Sequence, residues 1–502
     1  MNLYKFGLQN IQHFFAKYGQ QKLVRIVGVQ LYRSSLFFTL CYLKFRLPGL
    51  KTLYTFTNFD SPWFSPGISD VDLVAVFSDV KKEDLFEYTE KIKAVIVGIE
   101  KVFPHVWIGG SPFFTDEFLF WYELNINYAH DIEKYQSMKL IYGQELRPAM
   151  KVTPKIETSS FSFRFFFEEG LTDIYYNIIF RQNNFRNSYK FFRVLAMAGY
   201  QTTTNLKVAF DSPQMKTWLQ TAGCESPFIN KLYNLSQTNF AAEKNSFPTD
   251  FIFNLNILVK HICFKLNHDR KPSLNKLQVD ENVNRQKPEP AKTIRFFIEG
   301  LNKDCLSSIF LTRSAFVPEA NSQTLYLVLK NKDRKTVKGQ IKNTLDNLSL
   351  LDSDLKKYLA LKHRGAMYLL ENVFPLVIFE ELTNFWQFMN GGCLDESINI
   401  KYNATWLYGE KLNIGIDEEE IKRGLNDTVH VSFGPMNELL FKAVLRKFLQ
   451  HELMSKTNTF FPSQVESHYE KVFNEKICLK PGPASYLKLV TISRQFYKFR
   501  RF

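Results

Sequence analysis

The hydrophobic period changes twice in the N-terminal part of the chain. Apolar side chains recur at helical spacing over residues 8–47, which predicts one or two helices ending near Pro48. Residues 53–56 have the pattern of a strand, and residues 71–77 form a nearly continuous apolar run, as expected of a buried strand. Residues 82–103 predict an amphipathic helix whose apolar face carries Leu85, Ile92, Val95, Ile96 and Ile99. The order is helix, strand, loop, strand, helix.

The region from about residue 150 to residue 262 is predicted to be mainly helical, and a polar, proline-containing stretch follows near residues 267–290. A second alternation of strands and helices follows it. The predicted segments are a helical N-terminal segment (1–49), an α/β domain (50–150), a helical domain (151–265), a linker (266–294), a second α/β domain (295–415) and a C-terminal helical region (416–502).

Four short stretches of the first half recur in the same order in the second half. The pairs are 66–77 with 318–329, 102–104 with 373–375, 115–121 with 380–386, and 140–146 with 406–412. In this alignment Asp70 corresponds to Ser322 and Asp72 to Thr324. The repeat therefore predicts a degenerate second domain that lacks the two carboxylates of the first.

The net charge of +14, from 64 basic and 50 acidic residues, favours phosphate-bearing partners, with nucleic acid or another polyanion among them. The 49 Phe and 23 Tyr residues are assigned mainly to the core. The six cysteines form no CxxC pair, which suits the cytoplasm. No membrane span is expected, because the apolar run 36–43 is short and flanked by Arg33 and Lys44.

The candidate chemistry lies in Gly67-Ile68-Ser69-Asp70-Val71-Asp72-Leu73. Alternation along a strand puts the side chains of Asp70 and Asp72 on one face, roughly 6.5–7 Å apart. Carboxylates in this arrangement bind hard cations such as Mg²⁺ or Mn²⁺. The loop before them offers a glycine, Gly67, and the hydroxyl of Ser69 for contact with phosphate.

These residues resemble the nucleotidyltransferase superfamily, typified by DNA polymerase β and the aminoglycoside nucleotidyltransferases. The resemblance covers about residues 50–150 and consists of a first strand, a loop, Asp-x-Asp on a second strand and a following helix. It implies an α/β nucleotidyltransferase-like fold with Asp70 and Asp72 as catalytic metal ligands. Where the family has Gly-Ser after the first strand, this chain has Thr57-Asn58, which the resemblance assigns to phosphate binding.

The family also carries a third carboxylate, for which the sequence offers two candidates. Glu123 would face the site if residues 118–127 were a strand. The repeat favours a helix there, which moves the third strand to residues 106–115 and leaves Asp116 as the first acid after it. Both candidates remain open at this point.

The resemblance implies Mg²⁺-dependent transfer of a nucleoside monophosphate from a nucleoside triphosphate, such as ATP, to an acceptor hydroxyl on RNA, protein or a small molecule. The alternative is a catalytically inactive nucleotide- or RNA-binding scaffold with two nucleotidyltransferase-like domains. The altered Gly-Ser position favours the scaffold. Retention of both Asp70 and Asp72 in one copy favours the enzyme.

Overall fold

The structure is a computed structural model of the 502-residue chain. It describes residues 14–15, 18, 21–60, 64, 66, 69–81, 83–103, 105–108, 113–115, 118–119, 122, 138–147, 163–180, 185–206, 208–235, 246–267, 278–279, 289–313, 323–351, 355, 373–383, 404–412, 438–461 and 464–499. The helices are α1 (Lys22–Arg46), α2 (Leu85–Val102), α3 (Phe163–Ile179), α4 (Arg186–Thr204), α5 (Pro213–Thr221), α6 (Ser226–Asn234), α7 (Phe247–Asn267), α8 (Lys292–Glu299), α9 (Arg334–Asp346), α10 (Glu380–Thr383), α11 (Glu438–Thr457), α12 (Val465–Phe473) and α13 (Pro483–Phe499). The strands are β1 (Leu50–Thr55), β2 (Val71–Phe77), β3 (Val106–Ile108), β4 (Phe113–Phe114), β5 (Lys139–Gly143), β6 (Gln278–Val279), β7 (Leu306–Arg313), β8 (Gln323–Leu329), β9 (Val373–Phe379), β10 (Thr405–Gly409) and β11 (Thr459–Phe460).

The chain is mixed α/β and divides into two compact units. The first unit contains residues 1–155, 429–438 and 478–502, and the second contains residues 156–428 and 439–477. The helices from α3 to α7, predicted as a separate domain, share one continuous hydrophobic core with the second sheet. The predicted linker lies largely outside the described residues.

The first unit is built on a mixed sheet with the strand order β3-β2-β1-β5, and β4 also pairs with β2. β1 runs antiparallel to β2 and β5, whereas β2 runs parallel to β3 and β4. The predicted apolar run coincides with β2, whose apolar residues are all buried. All five apolar residues predicted on the inner face of α2 are buried as well. Tyr88 of α2 contacts the rings of Phe77 and Phe114, which fixes the helix over these strands.

The second unit contains a sheet with the order β10-β7-β8-β9 and the same strand directions. The registers also agree, since Thr55 pairs with Leu73 in the first sheet and Leu311 pairs with Leu325 in the second. Each hairpin has a register shift at the equivalent place, after Leu50 and after Leu306. The two sheets therefore repeat one another strand by strand, and Asp72 and Thr324 occupy equivalent positions, as the sequence alignment predicts.

One glycine in each sheet marks the same tight approach of two strands. Gly143 has a φ of +85° and pairs with Thr52, and Gly409 has a φ of +73° and pairs with Ser308. A Cβ at Gly143 would lie 1.9 Å from the carbonyl oxygen of Lys51, and one at Gly409 would lie 1.9 Å from that of Ser307. A larger residue fits neither position, because both the backbone conformation and the space require glycine.

One of the four sequence matches is wrong. Residues 102–104 were aligned with residues 373–375, but Val102 ends α2 whereas Val373 begins β9. The register places Val373 opposite Gln323 and Val106 opposite Val71, so Val373 corresponds to Val106. The Val-Phe pair at 102–103 and at 373–374 occurs in two different structural settings, and pairing between strands decides the correct alignment.

The second unit joins its helices to the edge of its sheet through a buried asparagine. Asn256 of α7 is fully buried, donates from Nδ2 to the carbonyl oxygen of Val377 (3.2 Å), and accepts from the backbone N–H of Phe379 (3.1 Å). These are the groups that another strand would bind along β9. The Asn256 side chain thus provides hydrogen-bond partners for two backbone groups of β9 that apolar packing alone would leave unpaired.

Candidate metal and nucleotide site

Asp70 and Asp72 lie at the open end of β2. Asp70 immediately precedes the strand and is exposed, whereas Asp72 is half-buried within it. The buried side chains of Val71 and Leu73 hold the strand in the sheet, and the backbone N–H of Val71 donates to the carbonyl oxygen of His105 (2.7 Å). Both carboxylates are therefore accessible to solvent on a well-anchored backbone.

This placement fits the chemistry of a hard divalent ion. Such an ion takes about six oxygen ligands and keeps several waters, which solvent-accessible carboxylates allow. Asp70 and Asp72 are the described acids that could hold it. Within the described ranges there is no group of three or more His, Cys, Asp or Glu side chains arranged around one point. Asp116 and Glu123, the candidates for a third carboxylate, lie outside the described residues, as does Gly67.

Thr57 ties the chain after β1 to the acidic segment. Its buried hydroxyl donates to the carbonyl oxygen of Asp70 (3.2 Å) and accepts from the backbone N–H of Asp72 (2.9 Å). Thr55 adds a second tie, because its hydroxyl donates to the carbonyl oxygen of Asp72 (2.9 Å) and accepts from the N–H of Thr57 (3.0 Å). In this structure the Thr57 hydroxyl positions the backbone of the Asp pair.

Asn58 lies one residue further along and faces β5. Its side-chain oxygen accepts from Nζ of Lys139 (3.3 Å) and from the backbone N–H of Asp60 (3.3 Å). Lys139 is exposed and pairs with Thr55, which in turn pairs with Leu73. A cation thus lies at the same end of the sheet as the acids, although the pairing puts it on the face of Leu73, opposite to that of Asp72. Sequence reasoning missed Lys139, because only the pairing of β1 with β5 brings it there.

Trp107 is the second residue that sequence reasoning missed. It is the direct partner of Asp72 across the parallel pair β2 and β3, so both side chains lie on the same face of the sheet. The indole is 48% exposed, so its ring is accessible beside the carboxylate. An exposed aromatic ring at this place offers a surface on which a nucleobase can stack. The available signal was its place in the predicted third strand.

A network of stacked rings supports the face of the sheet below Asp72. Tyr54 stacks on Phe118, and Phe118 stacks on Tyr122. The Tyr54 hydroxyl donates to Oε1 of Glu145 (2.8 Å), and the Arg147 guanidinium also binds that carboxylate (2.6 Å). The hydrogen bonds from Arg147 lower the pKa of Glu145 to about 2, and burial raises the pKa of Tyr54 to about 12. The network therefore keeps its charges fixed at neutral pH.

His105 links the site to α1 from the opposite side. Its Nε2 lies 2.7 Å from the hydroxyl of Ser35, and its ring lies 4.2 Å from that of Tyr32. Burial lowers the pKa of His105 to about 4, so the imidazole is neutral at physiological pH. The ring is a packing element, while its backbone carbonyl holds Val71.

The second sheet carries neutral residues at the equivalent positions. Thr324 replaces Asp72, Thr405 replaces Lys139, and Phe374 replaces Trp107. Ser322, the counterpart of Asp70, lies outside the described residues. At these equivalent positions the first sheet carries charged side chains and the second carries neutral ones, although the strands have the same order and directions.

Comparison with known proteins gives no relative whose function could inform this site. The chain matches no protein-family model, no curated protein and no solved structure.

Proposed function

We propose that the first unit is a nucleotidyltransferase, which moves a nucleoside monophosphate from a nucleoside triphosphate to an acceptor hydroxyl. The observation that carries the proposal is the difference between two sheets of equal topology. Asp72 and Lys139 stand at the same end of the first sheet, at positions where the second sheet has Thr324 and Thr405. Folding does not require charges there, because the second sheet forms the same strands without them.

In the proposed reaction the acceptor oxygen forms a bond to the α-phosphorus, and the bond to the leaving pyrophosphate breaks. The acceptor proton passes to water. When bound by Asp70 and Asp72, Mg²⁺ or Mn²⁺ would neutralise charge on the triphosphate. Ser69 and the loop containing Gly67 would contact phosphate. Trp107 would stack on the base.

The proposed setting is the cytoplasm, where nucleoside triphosphates and reduced thiols are found. Among the described residues the cysteines, Cys41, Cys224, Cys263, Cys305 and Cys478, are all free thiols. This agrees with a reducing compartment. RNA or another polyanion suits the basic chain as an acceptor, with a protein or a small molecule as the other classes.

The test is transfer of label from radiolabelled nucleoside triphosphates to the components of a cell extract, with Mg²⁺ or Mn²⁺. We expect transfer by the wild-type chain and a loss of about a hundredfold or more in Asp72→Asn, since a metal ligand is removed. Asp79→Asn is the matched control, because Asp79 is an exposed acid at the opposite end of β2. Equal activity in Asp72→Asn and the wild type would refute the assignment of the site.

One observation favours the scaffold alternative. Asp72 has Trp107 as its partner on β3, where an acid would complete a metal site. A scaffold would bind nucleotide or RNA through Trp107 without turnover. It would show binding that is independent of Mg²⁺ and unchanged in Asp72→Asn, together with no transfer to any acceptor. Binding measurements on the same variants therefore separate the two functions.

A further inference from the structure

Helix α1 presents its more apolar face to solvent. Eight large apolar side chains on it are between 40% and 82% exposed, namely Leu23, Ile26, Val27, Leu31, Phe37, Phe38, Tyr42 and Phe45. At 100° per residue they fall within one continuous sector of the helix, which we call the outer face. Its four aromatic residues alone expose roughly 400–500 Å². That is as large as the largest apolar patch on a typical monomeric protein, which commonly has a function.

The inner face of α1 is smaller and more polar, and it holds the helix to the first unit. Its buried residues are Gly28, Tyr32, Ser35, Leu36, Thr39 and Leu43. Ser35 and Tyr32 contact His105, and Tyr32 also packs edge-on against Phe64 at 5.3 Å. A Cβ on Gly28 would lie 2.5 Å from the side chain of Pro66, so the backbone is in close contact there. An amphipathic helix that served only the core would have the opposite arrangement.

These contacts bear on how the helix could meet a membrane. Among the described helices, α1 is long and apolar enough to cross one by length and composition, which is weak support for a span. A spanning helix would have to give up the contacts of Ser35, Tyr32 and Gly28 with the domain. A helix lying in the plane of a membrane surface keeps them, because only the outer face enters the lipid.

The charges of α1 indicate the kind of surface that it fits. The helix contains five basic residues and no acidic one, and the basic residues are Lys22, Arg25, Arg33, Lys44 and Arg46. By the same spacing Lys22, Arg33 and Lys44 flank the outer face, whereas Arg25 and Arg46 fall on the side of the inner face. Arg33 also pairs with Asp60 (3.0 Å). Cations combined with exposed Phe and Leu side chains are the composition of helices that bind anionic lipid.

We propose that the outer face of α1 binds the surface of an anionic lipid bilayer and anchors the first unit there. The apolar side chains would enter the boundary between headgroups and acyl chains, and Lys22 and Lys44, beside the outer face, would contact lipid phosphates. The proposal does not depend on the chemistry at Asp70 and Asp72.

The first test is flotation of the full-length protein with vesicles of phosphatidylcholine, or of equal parts phosphatidylcholine and phosphatidylglycerol. We expect binding to the anionic vesicles that weakens with added salt, and binding at least about tenfold weaker to the neutral ones. The double variant Phe37→Ser, Phe38→Ser should bind anionic vesicles at least about tenfold more weakly, because two aromatic groups that would enter the lipid are lost. Phe296→Ser is the matched control, since Phe296 of α8 is 61% exposed in the second unit.

The second test keeps the outer face intact. Cys41 is exposed and lies on the outer face, and Cys478 is an exposed cysteine outside α1. A polarity-sensitive dye on Cys41, in a chain with Cys393→Ser and Cys478→Ser, should shift to the blue on anionic vesicles. The dye on Cys478, in a chain with Cys41→Ser and Cys393→Ser, should not shift.

Three results would overturn the proposal. The first is a folded wild-type chain that does not bind anionic vesicles at low salt. The second is equal binding by the Phe37→Ser, Phe38→Ser variant. The third is a wild-type dimer that dissociates in this variant and binds no vesicles, because the outer face would then bind a second copy of the chain.

Discussion

The role of Thr57 gives the sharpest test of the candidate site. Its hydroxyl is bonded to the backbone of Asp70 and Asp72 and is buried, so Thr57→Val removes two hydrogen bonds without changing the side-chain volume much. The carbonyl oxygen of Asp70 belongs to an exposed residue and can bind water instead. The N–H of Asp72 lies in a strand and has no such replacement. An unpaired buried N–H group costs about 1–3 kcal/mol.

We therefore expect Thr57→Val to lower the free energy of unfolding by about 1–2 kcal/mol. The urea midpoint, followed by circular dichroism, should fall accordingly. Hydrogen exchange measured by mass spectrometry should show about tenfold faster exchange in peptides covering residues 70–77, since about 1.4 kcal/mol corresponds to tenfold. Thr57→Ser keeps the hydroxyl and should preserve slow exchange.

The matched control is Thr89→Val in α2. Thr89 is also buried, but its hydroxyl donates to the carbonyl oxygen of Leu85 within the same helix. Losing such a bond should cost at most about 0.5 kcal/mol, because that carbonyl keeps its helical partner. If Thr57→Val left stability and exchange unchanged and weakened only the binding of nucleotide, the positioning role would be refuted. The hydroxyl would then contact phosphate, as the sequence predicted.

Three further predictions concern acid sensitivity, the strand edge and the paired glycines. Burial lowers the pKa of His105 to about 4, against 6.5 for a free imidazole, so the folded state favours the neutral ring. The free energy of unfolding should fall by about 2–3 kcal/mol between pH 6.5 and pH 4, because protonation of His105 favours the unfolded state. Urea titrations across this range should show a smaller loss of stability in His105→Gln. Asn256→Leu leaves the N–H of Phe379 and the carbonyl of Val377 unpaired, and should destabilise the second unit by about 2–4 kcal/mol in calorimetry; an unchanged melting temperature would contradict this role. Gly143→Ala and Gly409→Ala should each cost about 2 kcal/mol or more, in the first and second units respectively, because both positions have a positive φ and no room for a Cβ; a stable variant at either position, measured by thermal melting, would count against the equivalence of the two sheets.

The sequence by itself determined the main elements of the first sheet. The apolar run at residues 71–77 is β2, and the five apolar residues predicted on one face of α2 are its buried face. The spacing of apolar residues depends only on the period of the local backbone, so these features can be seen without the fold. The match between residues 66–77 and 318–329 also predicted the equivalence of Asp72 with Thr324, which the two sheet registers confirm.

Only the tertiary structure decided which residues surround Asp72. Trp107 reaches it through the register of β2 and β3, and Lys139 reaches the same end of the sheet through the register of β1 and β5. The predicted strand at residues 106–115 is divided into β3 and β4. Register between distant segments is set by long-range pairing, which a local pattern does not contain.

The orientation of α1 was likewise decided by tertiary contacts. Apolar residues at helical spacing include Ile26, Val27 and Leu31, and a pattern alone would assign that face to the core. In the structure all three are exposed, because Gly28 and Ser35 make the close contacts with the domain. Helical period fixes which residues share a face, whereas the shape of the opposing surface selects the face that is buried.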